Sequence, residues 1–590
     1  METEDTSYAN WSNEKLIVRV TELEQRLREL TAKHTETSAS TSTEHVPAPQ
    51  RPKKLRAERF FNSESYSTRF IALKFAYLGQ RYGGFEHHAN NPTRLPTIEE
   101  ELWRALNKAK LIFPSPRSST SHDEINFEGL DYAKCGRTDR GVSAFGQVVS
   151  LSVRSNRPLA RQTAPFSEEN TASGNVENLG IAALSLENNL DIHYPIPTPV
   201  PLIGSATNEC LTFDPIHDEV PYPQILNRIL PPDIRVTAWC PAPPLDFSAR
   251  FSCKERRYRY FFTQPAFSPA PGVIRTSRRD GWLDIEAMRR AAKLYEGLHD
   301  FRNFCKVDPS KQIDNFERRI YHADVREVGP ELESASYVRK RDFAEHEVQN
   351  SSSADSFSSD ESSMQQDAPP KMYMFVLHGS AFLWHQVRHM VAILFLIGQG
   401  LESPYLITQL LDVKTNPTKP LYDMAEDAPL VLWDCIFPGD GADPHQDALE
   451  WIYAGEHKIK DNDTDWGIWS AKGGKFGNSG IVQDVWKIWH QRKMNEALAG
   501  MLLNLVVDMN NAPPPEEPPA TGRAATSQKV FQGGNSHLMK GRYVPVLERP
   551  RSESVEIINE RYRVRKGYDK NLEEKEKEGT GFRRVKLAMG

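Results

Sequence analysis

Residues 134–151 read KCGRTDRGVSAFGQVVSL. The second half of this stretch and the residues after it alternate. Phe145, Val149, Leu151 and Val153 fall on one side of an extended chain, and Gly146, Ser150 and Ser152 fall mostly on the other. That two-residue period is the signature of a strand with one buried face. The first half is a glycine-bearing loop that places Asp139 between Arg137 and Arg140. A single carboxylate therefore sits just before a strand, where a rigid sheet can hold it. The two flanking guanidiniums predict a low pKa and an ionised group, which can act as a nucleophile or a base. An ordinary turn with Asp paired to Arg has the same composition.

Similar elements appear on both sides of this stretch. Upstream, Ile71, Leu73, Phe75 and Tyr77 form one face of a strand that Gly79, Gly83 and Gly84 end. Thr97 and Glu100 form a capping box for a helix with Leu102, Ala105, Leu106 and Ala109 as its stripe. Downstream, YPQILNRILPPDIRVTAW (222–239) reads as helix and then strand. FSARFSCKERRYRYFF (247–262) puts Arg256, Tyr258, Tyr260 and Phe262 on one face of a strand. A second helix is expected from Asp284, with Met288, Ala291, Ala292 and Tyr295 as its stripe and Gly297 as its stop. KMYMFVLHG (371–379) reads as a strand, and FLWHQVRHMVAILFLIGQG (382–400) as a largely buried helix. Two comparable sets of strands and helices predict an α+β fold with two related halves around a joint sheet.

These elements divide the chain. Residues 1–34 carry Leu16, Val20, Leu23, Leu27 and Leu30 at 4-3-4-3 spacing, a short coiled-coil seam or a lone amphipathic helix. With the seam, a homodimer is expected. Residues 35–66 read as a disordered linker, 67–240 and 241–436 as the two halves of the core, and 437–590 as an extension with a helix near 481–508 and a basic tail. Polar insertions interrupt the halves at about 156–220 and 331–370, the second with the composition of a disordered segment.

The bulk numbers exclude some classes. The 590 residues carry a formal net charge of −6, which argues against a general nucleic-acid binder, although local charge decides binding. No run of 18 apolar residues occurs, so no transmembrane helix is expected, and the acidic start is unlike a leader peptide. Cys135, Cys210, Cys240, Cys253, Cys305 and Cys435 make no CxxC pair, so neither a zinc site nor a disulfide framework is indicated. An intracellular, soluble, metal-free protein is expected, with cytoplasm and nucleus both open. RPKKLR (51–56) fits a nuclear signal or a solvated linker.

Two further stretches carry chemistry. In KERRYRYFF, Lys254, Arg256, Arg257 and Arg259 stand beside Tyr258 and Tyr260. Cations meet phosphates and rings stack on unpaired bases. In WHQVRHM, His385 and Arg388 lie three apart at the start of an apolar helix, where a buried guanidinium needs an anionic partner.

CGRTDRGVSAFGQVVSL closely resembles the aspartate motif of the tRNA pseudouridine synthase A family. YLGQRYGGF, FSARFSCKERRYRYFF and FLWHQVRHMV match further family stretches in the same order. The resemblance covers about 70–155 and 220–436. KCGRTDRGVSAFGQ and HDFRNFCKVD (299–308) look most like the eukaryotic branch that acts on uridines 38 and 39 of the anticodon stem-loop. Bacterial members usually have His after the GV of the aspartate motif, where Ser143 stands here.

The resemblance implies a fold of two ferredoxin-like halves forming one sheet, with tRNA as substrate and no cofactor or metal. It implies that Asp139 is catalytic and reacts at the ribose of the target uridine. Tyr258 would pack on the flipped base, Arg137 would fill the gap the base leaves, and Arg388 would pair with Asp139. Lys254, Arg256, Arg257 and Arg259 are the expected RNA contacts. The same reaction at other RNA positions, or a non-catalytic RNA-binding or folding factor, are the alternatives.

Overall fold

The computed structural model describes residues 19–22, 24–25, 62–88, 93–113, 125–159, 213–269, 274–275, 278–279, 281–339, 370–456, 474–509, 528–533, 537–540 and 543–566. The chain forms two compact units, Met1–Asn62 and Ser63–Gly590. In the first, residues 19–22 and 24–25 are helical, with Arg19 paired to Glu22 at 2.8 Å and Val20 exposed. Leu16, Leu23, Leu27 and Leu30 lie outside the described residues, as do 51–56, the tail 583–586 and most of both insertions.

The second unit is mixed α and β. Its elements are β1 (Ser67–Tyr77), α1 (Ile98–Lys108), β2 (Ala133–Lys134), β3 (Ser143–Ser155), α2 (Tyr222–Ile229), β4 (Ile234–Cys240), β5 (Glu255–Gln264), α3 (Ile285–Lys293), β6 (Gly297–Asp300), β7 (Glu317–Glu327), β8 (Lys371–Gly379), α4 (Gln386–Gly398), α5 (Leu406–Leu411), β9 (Leu430–Ile436), β10 (Ile452–Tyr453) and α6 (Ile481–Asp508). A two-stranded ribbon (Gln528–Phe531, His537–Lys540) and a terminal helix, Val555–Lys566, follow. Ten strands make one sheet in the order β10-β4-β1-β3-β9-β5-β8-β7-β6, with β2 also on β3. Every pairing in it is antiparallel except β3 with β9. There Val431 and Leu432 lie opposite Ser143 and Ala144, which joins the early strands to the late ones right after the Asp139 loop.

The local signals explain most elements. Thr97 and Glu100 close the capping box on α1, and Asp284 caps α3 through the Ala287 N–H at 2.9 Å. Ile71, Leu73, Phe75 and Tyr77 are buried, as is every residue of α4. α3 ends at Lys293, earlier than its stripe suggested, and Gly297, at φ +113°, opens β6 instead of stopping a helix. Phe145 also departs from the expected face. The register slips between Phe75, opposite Gln147, and Tyr77, opposite Ala144. This bulge turns the Phe145 ring out, 40 % exposed, to meet Trp433 at 5.4 Å. Among the described residues no helix is long and apolar enough to cross a membrane.

Candidate active site

The loop 135–142 is fixed from several sides. Buried Gln147 brackets Gly136, accepting from its N–H at 3.2 Å and donating to its carbonyl at 3.0 Å. The Tyr77 hydroxyl meets the Thr138 hydroxyl at 2.7 Å, and the Phe85 N–H reaches the Thr138 carbonyl at 3.1 Å. Two glycines permit this packing. A Cβ on Gly79 would lie 2.0 Å from the Val142 carbonyl oxygen, and Gly141 turns the chain at φ +81°. These contacts give Asp139 a defined position at the end of a sheet strand.

Asp139 opens into a cleft of about 970 Å³ between the two sets of elements, shared with Arg137, Arg256, Tyr258, His385 and Arg388. The cleft lining carries nine lysines and arginines against three carboxylates, so a chain with a net charge of −6 still presents a cationic site. A volume of this size is in the range of small-molecule binding sites.

The electrostatics of Asp139 differ from the sequence expectation. Burial pushes its carboxyl up to about 6, with Arg388 and the Trp384 indole acting in the opposite direction. The flanking arginines do not hold it low, because Arg140 is exposed and Arg137 turns its Nε to Glu86 at 3.0 Å. Desolvation therefore outweighs the neighbouring charges.

Arg388 also departs from the expected pairing. It forms no ion pair with Asp139 within 4.0 Å; its Nε donates to the Ala425 carbonyl at 2.7 Å, and Nη2 lies 3.9 Å from Asp427. It acts on Asp139 through space while it pins the turn before β9. The near neighbour of Asp139 is His385, with Nε2 at 3.6 Å from Oδ2. His385 holds φ +61° just before α4, and its buried Nδ1 has no hydrogen-bond partner. Burial and the surrounding Arg388, Lys306 and Lys419 push its pKa down to about 4, so the ring is neutral near pH 7. A non-glycine residue in the left-handed region is uncommon and carries backbone strain. Sequence reasoning had His385 only as a neighbour of Arg388, and no residue-type signal marks its backbone.

Tyr258 is buried on β5, edge-on to Phe382 with ring centres 5.1 Å apart. Burial raises its hydroxyl pKa, so it stays protonated. The four basic residues expected to grip RNA together are separated. Arg256 lines the cleft and donates to the carbonyls of Ser380 and Cys135, both at 2.9 Å. Arg257 and Arg259 point to the opposite face of the sheet, because alternate residues of a strand do. Arg257 donates to Glu255 at 2.6 Å and the His445 carbonyl at 2.7 Å, and Arg259 lies 3.6 Å over the Trp433 ring. Lys254 is exposed and reaches the Phe251 carbonyl at 3.4 Å. Phe251 and Trp384, 66 % and 39 % exposed at the cleft, are aromatic surfaces the sequence reading did not single out.

The family model described as tRNA pseudouridine synthase matches residues 291–438. The tRNA pseudouridine(38/39) synthase of Bos taurus is 36 % identical over 441 residues, 75 % of this chain and 68 % of the relative. That of Saccharomyces cerevisiae is 35 % identical, over 74 % of this chain and 72 % of the relative. The Homo sapiens enzyme of the same name is 36 % identical, over 75 % and 68 %.

Proposed function

The chain belongs to the tRNA pseudouridine synthase family, and from that premise we propose that it isomerises uridine 38, uridine 39 or both in the anticodon stem-loop of tRNA. It is an isomerase that acts on tRNA. The observation that carries the choice of positions is the extent of the match to relatives named for them, at 35–36 % identity over three quarters of this chain.

In this reading the target uridine leaves the stem and enters the cationic cleft, because a stacked base hides C1′ and C5. Asp139 attacks the ribose or removes a proton from it. The C1′–N1 bond breaks and the base rotates; C1′–C5 then forms as the Asp139–ribose bond breaks or the abstracted proton returns to the ribose, C5 loses a proton and N1 gains one. Tyr258 packs on the base, Arg137 takes its place in the stem, and Arg388 favours the ionised Asp139 from a distance. The orders β4-β1-β3-β2 and β9-β5-β8-β7 support reading 67–240 and 241–436 as ferredoxin-like halves.

A homodimer is part of the same proposal. Beside the short seam at 16–30, α6 supports it, with Met494, Leu498, Met501, Leu502 and Leu505 among its exposed apolar residues. The protein would act in cytoplasm and nucleus, for which the basic run 51–56 is the support.

Pseudouridine mapping in tRNA from cells lacking the protein should show loss at 38 and 39. Wild type should restore it and Asp139→Ala should not. Loss at other positions only would overturn the assignment.

A further inference from the structure

Three thiols converge in the core beneath the Asp139 loop. Cys135 directly follows β2, Cys253 lies in the turn before β5, and Cys435 is on β9. All three are buried, at 4 %, 6 % and 0 % exposure, and their sulfurs lie within 4.8 Å of one another. Cys240 and Cys305 are buried too but join no such group. No sequence motif announces the trio, because each thiol arrives from a different part of the chain.

We propose that Cys135, Cys253 and Cys435 form a three-thiolate site for one soft, thiophilic metal ion, and that filling it shifts the Asp139 loop and inhibits the enzyme. The spacing fits. Metal–sulfur bonds of about 2.3 Å in a plane set the sulfurs about 4.0 Å apart, so the trio needs to contract by less than about 1 Å. The donor set fits as well. Among the described residues no fourth His, Cys, Asp or Glu joins the group. Structural zinc sites want four ligands, whereas three thiolates with no fourth ligand suit a soft ion that accepts three-coordination, of the cuprous or cadmium type.

The charge can be balanced. Three thiolates and a divalent ion leave one negative charge, and Arg256, whose Nη2 donates to the Cys135 carbonyl at 2.9 Å, is beside them. Binding would release the protons that the thiols hold. The coupling follows from connectivity. Cys135 is the residue before Gly136, which Gln147 brackets, and Cys435 lies opposite Arg256 on β5. A contraction of the triangle pulls on both sides of the cleft floor.

The test uses the full chain, reduced and stripped of metal, titrated with Cd²⁺. We expect saturable thiolate-to-cadmium absorption in the ultraviolet with an endpoint of one ion per chain. Cys135, Cys253 and Cys435 should become protected from alkylation, as read by peptide mass. Pseudouridine formation should fall at least several-fold as the site fills, and a chelator should restore it. Cys253→Ser and Cys435→Ser should each abolish the absorption, and Cys210→Ser and Cys240→Ser should keep it. Alkylation mapping on wild type decides the question if a core variant does not fold. Absorption that persists in both core variants, protection of other cysteines, or mass loss from a disulfide without bound metal would overturn the site. Full occupancy with unchanged activity would overturn the inhibition.

Discussion

The two faces of β5 use the same residue types for different ends. Arg256 and Tyr258 face the cleft, and Arg257 and Arg259 face away from it. On the cleft side, Arg256 ties the Asp139 loop to the turn after β8 through the Cys135 and Ser380 carbonyls, and Tyr258 offers a ring. On the far side, Arg257 links Glu255 to the 437–450 segment, and Arg259 covers Trp433. A basic, tyrosine-rich strand is therefore half site and half scaffold. Composition alone would assign all of it to RNA. Substitutions on the two faces should differ in kind.

The largest effect is expected on the cleft side. Asp139→Asn should abolish pseudouridine formation and leave tRNA affinity within a few-fold, since the shape is kept and the carboxylate that would act as nucleophile or base is lost. Measurable residual turnover would remove Asp139 from the chemistry. For wild type, turnover should rise as pH climbs through about 6, where the carboxyl ionises. The stability effect has the opposite sign. The folded-state pKa lies above the ordinary value of 3.8, so the native state holds the extra proton between these values. Stability is lost as pH rises through that window and stays lost above it. Asp139→Asn should therefore be more stable than wild type by about 3 kcal/mol at neutral pH, with the gap closing below about pH 4. Denaturant unfolding at the two pH values checks this.

Tyr258→Ala should come next, with single-turnover rates reduced by about 100-fold and the salt dependence of tRNA binding kept. Stacking acts on the base and not on phosphate. Arg388→Ala should have a smaller and more specific effect. Arg388 is the largest influence holding the Asp139 pKa down, so its loss should move the acidic limb of the pH–rate profile above about 6. An unmoved limb would show that Arg388 serves only to anchor the Ala425 carbonyl.

The sequence carried the fold further than it carried the site. Period-two and capping signals located β1, β3, α1 and the start of α3, because each depends on residues close in the chain. β6 and β7 were missed. β6 is four residues long, and β7 alternates charged residues with only a few buried apolar ones. The motif placed Asp139, Tyr258 and Arg388 around one cleft, but three features depend on distant atoms. Desolvation of Asp139 comes from the walls of the cleft, the direction of Arg137 comes from Glu86, and the turn at His385 is a backbone state. The Cys135–Cys253–Cys435 triangle is likewise a product of strand order.

The smallest effect tests the scaffold face directly. Arg257→Glu with Arg259→Glu removes two cations from a strand that also lines the cleft, and from sequence it should flatten the salt dependence of tRNA binding. The geometry reverses that expectation. Arg257 is already engaged by Glu255 and the His445 carbonyl, and Arg259 lies on Trp433, both across the sheet from Asp139. Neither guanidinium lines the cleft. The slope of log affinity against log salt should therefore change by less than the roughly 0.7–0.9 that one lost phosphate contact produces. The damage should appear as lowered stability, because Glu255, 1 % exposed, loses its cation and gains a like charge two residues away. Lys306→Glu with Lys311→Glu, on the cleft lining, is the matched control and should lower the slope by about one contact each. Salt titrations of tRNA binding on the two double variants decide between the faces. Equal flattening in both would mean that RNA also reaches the far side of the sheet, and the division of β5 into site and scaffold would be wrong.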